Sequence, residues 1–362
     1  MIVLIPIMLI YGLFSVSGLV LVWTEDRSLK KKKPPVGVTV IIAVRNEIKG
    51  VKKLIDQILS NKTNFNIELI VVDDGSDDGT LQALENYSNT NLVLLKNKLE
   101  GKKAAIKLAL QNASYEIIVQ TDGDCEVSKY WLLSMVHRLM TDKTRMVIGP
   151  VYPLRTTSAL NALIRLEWLG IQFLTAFTAR LNQPALANGA NMAFYKNDYE
   201  EFIDLKLGKQ YASGDDVFFL KHISKKGRAV FNLDKASIVQ TEMPDTLVGF
   251  LNQRIRWITK ANKSANVLSS FLSLVVIMAN FSWIAGVYFV VQDYHALPIL
   301  MITAGWKLIS DFIICWNMAR FYDDIKVLKW IPIIFFIFPV YLLFGILFSF
   351  KRDYSWKGRK VI

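Results

Sequence analysis

The chain has 362 residues, 52% of them hydrophobic and 20% charged, with a mean hydropathy of +0.29. That is too apolar for an ordinary soluble domain and too charged for a membrane bundle alone, so a soluble part joined to membrane segments is expected. The formal charge of +12 comes from 43 Lys/Arg against 31 Asp/Glu, and the basic residues cluster beside hydrophobic runs. This fits cytoplasmic flanks better than a nucleic-acid surface, and no nucleic-acid partner is expected. The two cysteines, Cys125 and Cys315, have no CxxC or Cys/His spacing around them, which excludes a disulfide framework and a zinc site.

Residues 1–23, "MIVLIPIMLIYGLFSVSGLVLVW", carry no charge and reach the ~20 residues a membrane helix needs. With neither a basic leading region nor a small-residue cleavage site, they are expected to form an uncleaved N-terminal transmembrane helix. The linker 24–35 holds the basic run Lys30–Lys33 and then Pro34 and Pro35. The lysines place the following domain, 36–242, on the cytoplasmic side and the amino terminus outside.

Within 36–242, strand-like and helical patterns alternate. "VGVTVIIAV" (36–44), "IELIVVDD" (67–74), "NLVLLKN" (91–97) and "YEIIVQTD" (115–122) read as strands. "KGVKKLIDQILSN" (49–61), "DGTLQALENYS" (78–88) and "KKAAIKLALQNA" (102–113) read as helices between them. Continuously apolar strands in this order predict an α/β domain with a parallel sheet covered on both faces. Ligands bind at the carboxyl ends of such strands. Asn46 and Glu47 follow the first strand, Asp73 and Asp74 end the second, and Asp122 and Asp124 end the fourth. There is no GxGxxG and no GxxxxGK[ST], which excludes the dinucleotide fingerprint and the P-loop.

Each polar motif has two local readings. Asp122-Gly123-Asp124 is either a polar turn or a pair of carboxylates sharing a divalent cation with substrate phosphates. In "VVDDGSDDGT" (71–80), Asp74 is placed to accept from a base or ribose, while Asp77 and Asp78 suit capping of the next helix. In "SGDDVFFLKHISKKG" (213–227), Asp215 and Asp216 are either a general base and its neighbour or an N-cap pair for the stripe Val217, Leu220 and Ile223. In "QRIRW" (253–257), Gln253, Arg256 and Trp257 offer an amide, a guanidinium for phosphate and a flat stacking surface. The segment 243–265 that carries them also suits an interfacial amphipathic helix. Residues 155–181, hydrophobic but broken by Arg165, Glu167 and Arg180, resemble a second surface-lying segment. His137, His222 and His295 form no triad.

The region 266–350 holds the C-terminal membrane segments. Residues 267–291 carry no charge; 296–318 include Lys307 and Asp311, four apart and able to pair on one helix face. Residues 331–350 are interrupted by Pro332 and Pro339. Three full crossings would put the tail 351–362 outside, yet its five Lys/Arg favour the inside. The proline-bearing segment is the one expected to be re-entrant or interfacial.

Taken in order, six motifs resemble the membrane-embedded, processive-type branch of glycosyltransferase family 2 over about residues 36–260. They are "VIIAVRNE", "VVDDGSDDGT", "EGKKAAI", "TDGD" with "SGDD" after it, and "QRIRW", which matches the family's Gln-x-x-Arg-Trp without departure. The resemblance implies a Rossmann-like glycosyltransferase A fold with one N-terminal and about three C-terminal membrane segments, and inversion at the anomeric carbon. It implies Asp74 as the base contact, Lys102 near the nucleotide, and Asp122 and Asp124 as ligands of Mg2+ or Mn2+. Asp216 becomes the catalytic base, although "SGDD" departs from the family's Thr-Glu-Asp and leaves Asp215 as the alternative. In "ANGANMAFY" (187–195), Asn188, Gly189 and Asn191 stand where the family contacts donor sugar and acceptor. The partners so implied are a nucleotide-sugar donor, with UDP as its nucleotide, a lipid or polysaccharide acceptor, the membrane, and an export subunit. The expected location is the bacterial inner membrane, with the catalytic domain cytoplasmic. The competing reading is a non-catalytic nucleotide-sugar-binding subunit of a polysaccharide assembly complex, against which the intact acidic motifs stand.

Overall fold

The β-branched run Gly37–Val44 is buried along nearly its whole length, as a strand covered on both faces requires. It lies in a computed structural model that describes residues 4–23, 35–87, 91–205, 215–264, 266–348, 354–356 and 359–361. The lysine run 30–33, Ser213 and Gly214 fall outside the described residues, as do the side chain of Asp215 and most of the tail. In chain order the helices are α1 (Leu4–Trp23), α2 (Val51–Leu59), α3 (Thr80–Glu85), α4 (Lys102–Asn112), α5 (Trp131–Leu139), α6 (Ala159–Arg180), α7 (Lys196–Asp204), α8 (Asp215–Ile223), α9 (Leu247–Ser264), α10 (Val267–Gln292), α11 (Leu297–Phe321) and α12 (Ile331–Phe348). The strands are β1 (Gly37–Val44), β2 (Asn66–Asp73), β3 (Leu92–Lys96), β4 (Ile117–Asp122), β5 (Cys125–Glu126), β6 (Thr144–Ile148), β7 (Val151–Pro153), β8 (Asn191–Tyr195), β9 (Arg228–Phe231), β10 (Val239–Thr241), β11 (Tyr354–Trp356) and β12 (Arg359–Val361).

The chain divides into two compact units. One comprises Asp26–Leu154 and Leu186–Glu242, the other Met1–Glu25, Arg155–Ala185 and Met243–Ile362. The continuous 36–242 domain of the sequence reading is therefore interrupted. Residues 155–185 leave it because α6 buries Phe173 and Phe177 against Phe14 of α1, with ring centroids 5.4 and 5.0 Å apart.

The first unit is built on a seven-stranded sheet in the order β3-β2-β1-β4-β8-β6-β9. The four strands expected from the pattern, β3-β2-β1-β4, pair in parallel; β8, which is not among them, runs antiparallel to both β4 and β6. Apolar patterning reports that a strand is buried on both faces, not which way it runs. Helices cover the sheet with regular apolar stripes: Val51, Leu54, Ile55 and Ile58 on α2, and Ala105, Ile106, Ala109 and Leu110 on α4. Each fully buried Leu or Ile contributes about 1.5–3 kcal/mol. A small sheet, β5-β10-β7, follows the end of β4.

In the second unit, three helical stretches, Val267–Gln292, Tyr294–Phe321 and Ile325–Leu347, are long and apolar enough to cross a membrane. Helices α1, α10 and α11 pack together. Between them Lys307 is paired with Asp311, as their spacing on one face allows, and Asp311 also accepts from the Tyr11 hydroxyl at 2.6 Å. A buried hub joins α6, α9 and α12. The guanidinium of Arg254 holds Glu167 in two hydrogen bonds of 2.9 Å from Nε and one of 2.5 Å from Nη2. Tyr341 donates to the same carboxylate at 2.6 Å. The second half of α12 thus runs along α6 and α9; a side chain on Gly345 would meet Ile258 at 2.9 Å.

Candidate active site

The loops after β1 and β2 are tied to each other. Asn46, at φ 57°, donates from Nδ2 to Asp77 at 2.8 Å and accepts from the Asp77 amide at 3.0 Å. The Glu47 amide donates to Thr80 Oγ1 at 2.9 Å, and Asp78 accepts from the amides of Ile48 and Thr80. Asp77 and Asp78 therefore brace the two loops and the start of α3. The Glu47 side chain lies over Gly123, where a Cβ would come within 3.0 Å of its Cγ. The residues that follow β1 and β4 come together here.

Asp73 and Asp74 are both 3% exposed. Asp73 Oδ2 accepts from the amides of Gly75 and Ser76 at 3.1 and 3.2 Å, while Oδ1 is buried without a hydrogen-bond partner. Asp74 Oδ1 accepts from Asn97 Nδ2 at 2.7 Å and from the Gly101 amide at 2.8 Å. Gly101 has φ 110°, a conformation that only glycine adopts without strain, and Lys102 follows it at the start of α4. Asp74 thus sets the turn that delivers Lys102.

Lys102 is the centre of the charged cluster. Its ammonium is paired with Asp122. Burial pulls the Lys102 pKa down, but the carboxylates of Asp122, Asp216 and Asp124 outweigh burial and hold it above its ordinary value. Asp122 thus contacts the ammonium, while Asp216 and Asp124 act on it at longer range. Asp216 accepts from the Gly189 amide at 3.2 Å through Oδ2 and from the Val217 amide at 2.9 Å through Oδ1. A Cβ at Gly189 would stand 3.4 Å from the Lys102 nitrogen and 4.0 Å from Asp216 Oδ2. Beside Asp124, burial, then Asp124 and Asp122, push the Cys125 thiol well above its ordinary range.

The donor set fits a divalent cation held in part by substrate. Asp122 and Asp124 flank Gly123 on one turn, and the three carboxylates exceed the single ammonium by two charges. Among the described residues no three His, Cys, Asp or Glu close on a common point. The protein thus supplies carboxylates but no complete cage, the pattern of Mg2+ sites that share phosphate oxygens.

The "ANGAN" segment divides. Gly189 faces the cluster, and Asn188 Oδ1 caps the Ala190 amide at 3.0 Å. Asn191 is fully buried. Its Nδ2 donates to the carbonyls of Pro150 and Ser237, both at 2.8 Å, and its Oδ1 accepts from Trp131 Nε1 at 3.0 Å. In this position Asn191 is a joint of the scaffold, with its amide bonded on both sides to the protein's own groups.

Gln253, Arg256 and Trp257 lie on α9, in the other unit. Gln253 Oε1 accepts from Arg254 at 2.6 Å, and the Trp257 ring lies 5.2 Å from that of Trp168 and 4.3 Å from the Arg254 guanidinium. Arg254, inside the same motif, was not singled out by its pattern, yet it is the buried residue that organises it. Sequence reasoning also passed over Gln120. Its Nε2 donates to the Gly189 carbonyl at 2.9 Å. The available signal was a polar residue in an apolar strand, two before Asp122 and hence on the same face.

Comparison with known proteins gives a consistent result. Residues 39–202 match the profile described as glycosyl transferase family 2. The glycosyltransferase AglE of Haloferax volcanii is 32% identical over 131 residues, 34% of this chain and 42% of that protein. Chondroitin synthase of Pasteurella multocida is 23% identical over 224 residues, 57% of this chain and 22% of that one. The dolichyl-phosphate beta-glucosyltransferase ALG5D of Trichomonas vaginalis is 32% identical over 132 residues, 32% of this chain and 40% of that protein. The chain spans less than half the length of each of these relatives. Among solved structures, the mannosyltransferase PcManGT of Pyrobaculum calidifontis, in complex with GDP-Man and Mn2+, superposes with a TM-score of 0.54 at 18% identity, covering 96% of this chain and 99% of that one. At that identity the likeness concerns the fold, which is the glycosyltransferase A fold.

Proposed function

We propose, from the match of residues 39–202 to the glycosyl transferase family 2 profile, that the protein is an inverting glycosyltransferase. It moves a sugar from a nucleotide-sugar, with UDP as the nucleotide, to a lipid or growing polysaccharide at the cytoplasmic face of a bacterial inner membrane. The observation that carries this reading is the convergence of Asp122, Asp124, Lys102, Gly189 and Asp216 beyond the carboxyl ends of β1 and β4. The relatives support an acceptor that is a glycan or a membrane-borne phosphate lipid, since chondroitin synthase and the dolichyl-phosphate transferase are named for such products.

Asp122 and Asp124 would hold Mg2+ or Mn2+. The bound ion supplies charge neutralisation on the departing diphosphate. The mannosyltransferase of the same fold, solved with Mn2+, supports that choice of cofactor. Lys102 exchanges its contact with Asp122 for the diphosphate, adding a positive charge where negative charge develops. Asp216 takes the proton of the acceptor hydroxyl as that oxygen attacks the anomeric carbon opposite the leaving group. Asn46 and Glu47 border the nucleotide. Asp74, whose Oδ1 holds the turn before Lys102, keeps the contact with the base that its motif implies. Gln253, Arg256 and Trp257 keep the diphosphate-side and acceptor-side roles their motif implies, on sequence grounds. The Asp215 side chain lies outside the described residues, and Asp216 is preferred as base on its placement.

The test is a donor screen with membranes carrying the protein, products being separated by lipid extraction. Transfer from a UDP-sugar that stops in excess EDTA and returns with Mn2+ is expected. Full transfer in EDTA removes the metal role; binding of UDP without turnover of any donor leaves the non-catalytic subunit as the answer.

A further inference from the structure

Gln120 is a polar side chain in the centre of the sheet. It sits on β4, opposite Ile41 of β1 and Met192 of β8, and is 3% exposed. Its Nε2 donates to the Gly189 carbonyl, which fixes the orientation of the amide. Its Oε1 is then left buried, with no hydrogen-bond partner. An orphaned buried acceptor carries an uncompensated desolvation penalty, which offsets much of what the bond to the buried Gly189 carbonyl contributes. The amide therefore adds little net stability to the sheet, and its use lies in where that bond leads.

Its one bond leads to the proposed base. The Gly189 carbonyl is held by Gln120, the next carbonyl, Ala190, accepts from Thr121 Oγ1 at 2.9 Å, and the Gly189 amide donates to Asp216. Without a Cβ, Gly189 would otherwise swivel freely between its two peptide planes. A side chain there is blocked on the Gln120 side, where Nε2 would lie 3.0 Å from the added carbon. We propose that Gln120 is a positioning residue for sugar transfer: by clamping the Gly189 peptide from the floor of the sheet, it holds the amide that orients Asp216. This rests on the reading of Asp216 as the general base.

The experiment compares wild type, Gln120→Leu and Asp216→Asn in detergent. It reads amide hydrogen exchange across residues 188–191, calorimetric affinity for UDP with Mn2+, and UDP release from a panel of UDP-hexoses in the presence of membrane extract. Gln120→Leu exchanges one orphaned buried acceptor for another, so it is expected to melt close to wild type and to keep its UDP affinity. It should lose exchange protection at Gly189–Asn191, and its turnover should fall about ten- to a hundredfold, the scale of a misplaced catalytic group. Unchanged protection, or wild-type turnover, overturns the proposal. So does a loss of UDP affinity in step with thermal stability, since that is a structural role only. Turnover by Asp216→Asn at the wild-type rate refutes the base assignment, and with it the route from Gln120 to the reaction. If wild type releases no UDP from any donor, it is the transferase reading that fails, and exchange at 188–191 still decides whether Gln120 clamps the turn.

Discussion

Replacing Asn191 with leucine separates a scaffold role from an acceptor contact. Leucine keeps the size and the branch of asparagine but neither donates nor accepts. Three hydrogen bonds are lost: those to the carbonyls of Pro150 and Ser237, and that from Trp131 Nε1. The Pro150 carbonyl still accepts from the Val239 amide at 3.0 Å. Trp131 Nε1 and the Ser237 carbonyl lose these bonds in surroundings where both residues are fully buried. At about 1–3 kcal/mol for each buried group left unsatisfied, the cost is about 2–6 kcal/mol. That is a large share of the ~5–15 kcal/mol a domain possesses, and it corresponds to a fall in melting temperature of at least about 4 °C. Gly149→Ala loads the same joint from the other side, because its Cβ would fall on the Asn191 amide. The assay is thermal unfolding in detergent by intrinsic fluorescence, beside turnover per folded molecule well below the transition. Both variants should unfold early and keep their acceptor KM. An Asn191→Leu protein that melts like wild type but shows a raised acceptor KM refutes the reasoning and returns Asn191 to the ligand.

Lys102→Met should bind Mn2+ more tightly than wild type in the absence of nucleotide, by electron paramagnetic resonance, because the ammonium paired with Asp122 is gone; unchanged affinity would count against Asp122 as a ligand. Arg254→Met leaves Glu167 uncompensated in a buried site and should cost about 3–5 kcal/mol, while adding Glu167→Gln should recover part of that loss; additive losses would deny the coupling. His222 titrates low because burial disfavours its charged form, with Glu201 opposing. A depressed histidine contributes stability above its unfolded pKa of about 6.5 that is lost as pH falls toward the folded value. Melting temperature should therefore fall less steeply with acid in His222→Phe, and an unaltered slope would remove His222 from the acid response. Because β11 packs against α9 and Tyr341 is held by Glu167, the tail should lie on the same side of the membrane as α9. In a background lacking Cys125 and Cys315, an impermeant maleimide should reach Ser355→Cys and Ser264→Cys from one side and Tyr294→Cys from the other; joint labelling of Ser355→Cys with Tyr294→Cys would make α12 a full crossing.

The apolar runs and their periods determined, without any structure, that an α/β domain is joined to long apolar helices, and they located β1 to β4 to within a few residues. Placing Asp122, Asp124 and Lys102 on one side of the sheet needed little more, since strand ends and helix starts in such folds share one edge. Burial and charge are properties of short segments, so local pattern suffices for them. Tertiary structure alone decided that β8 runs backwards, that α6 leaves the sheet for the apolar helices, and that Asp74 and Asn191 face inward. It also brought out Gln120 and Arg254, whose partners lie 69 and 87 positions away in the chain. The type of a polar residue says only that it must be hydrogen-bonded. Whether the partner is the protein's own backbone or a ligand depends on which distant segment folds against it.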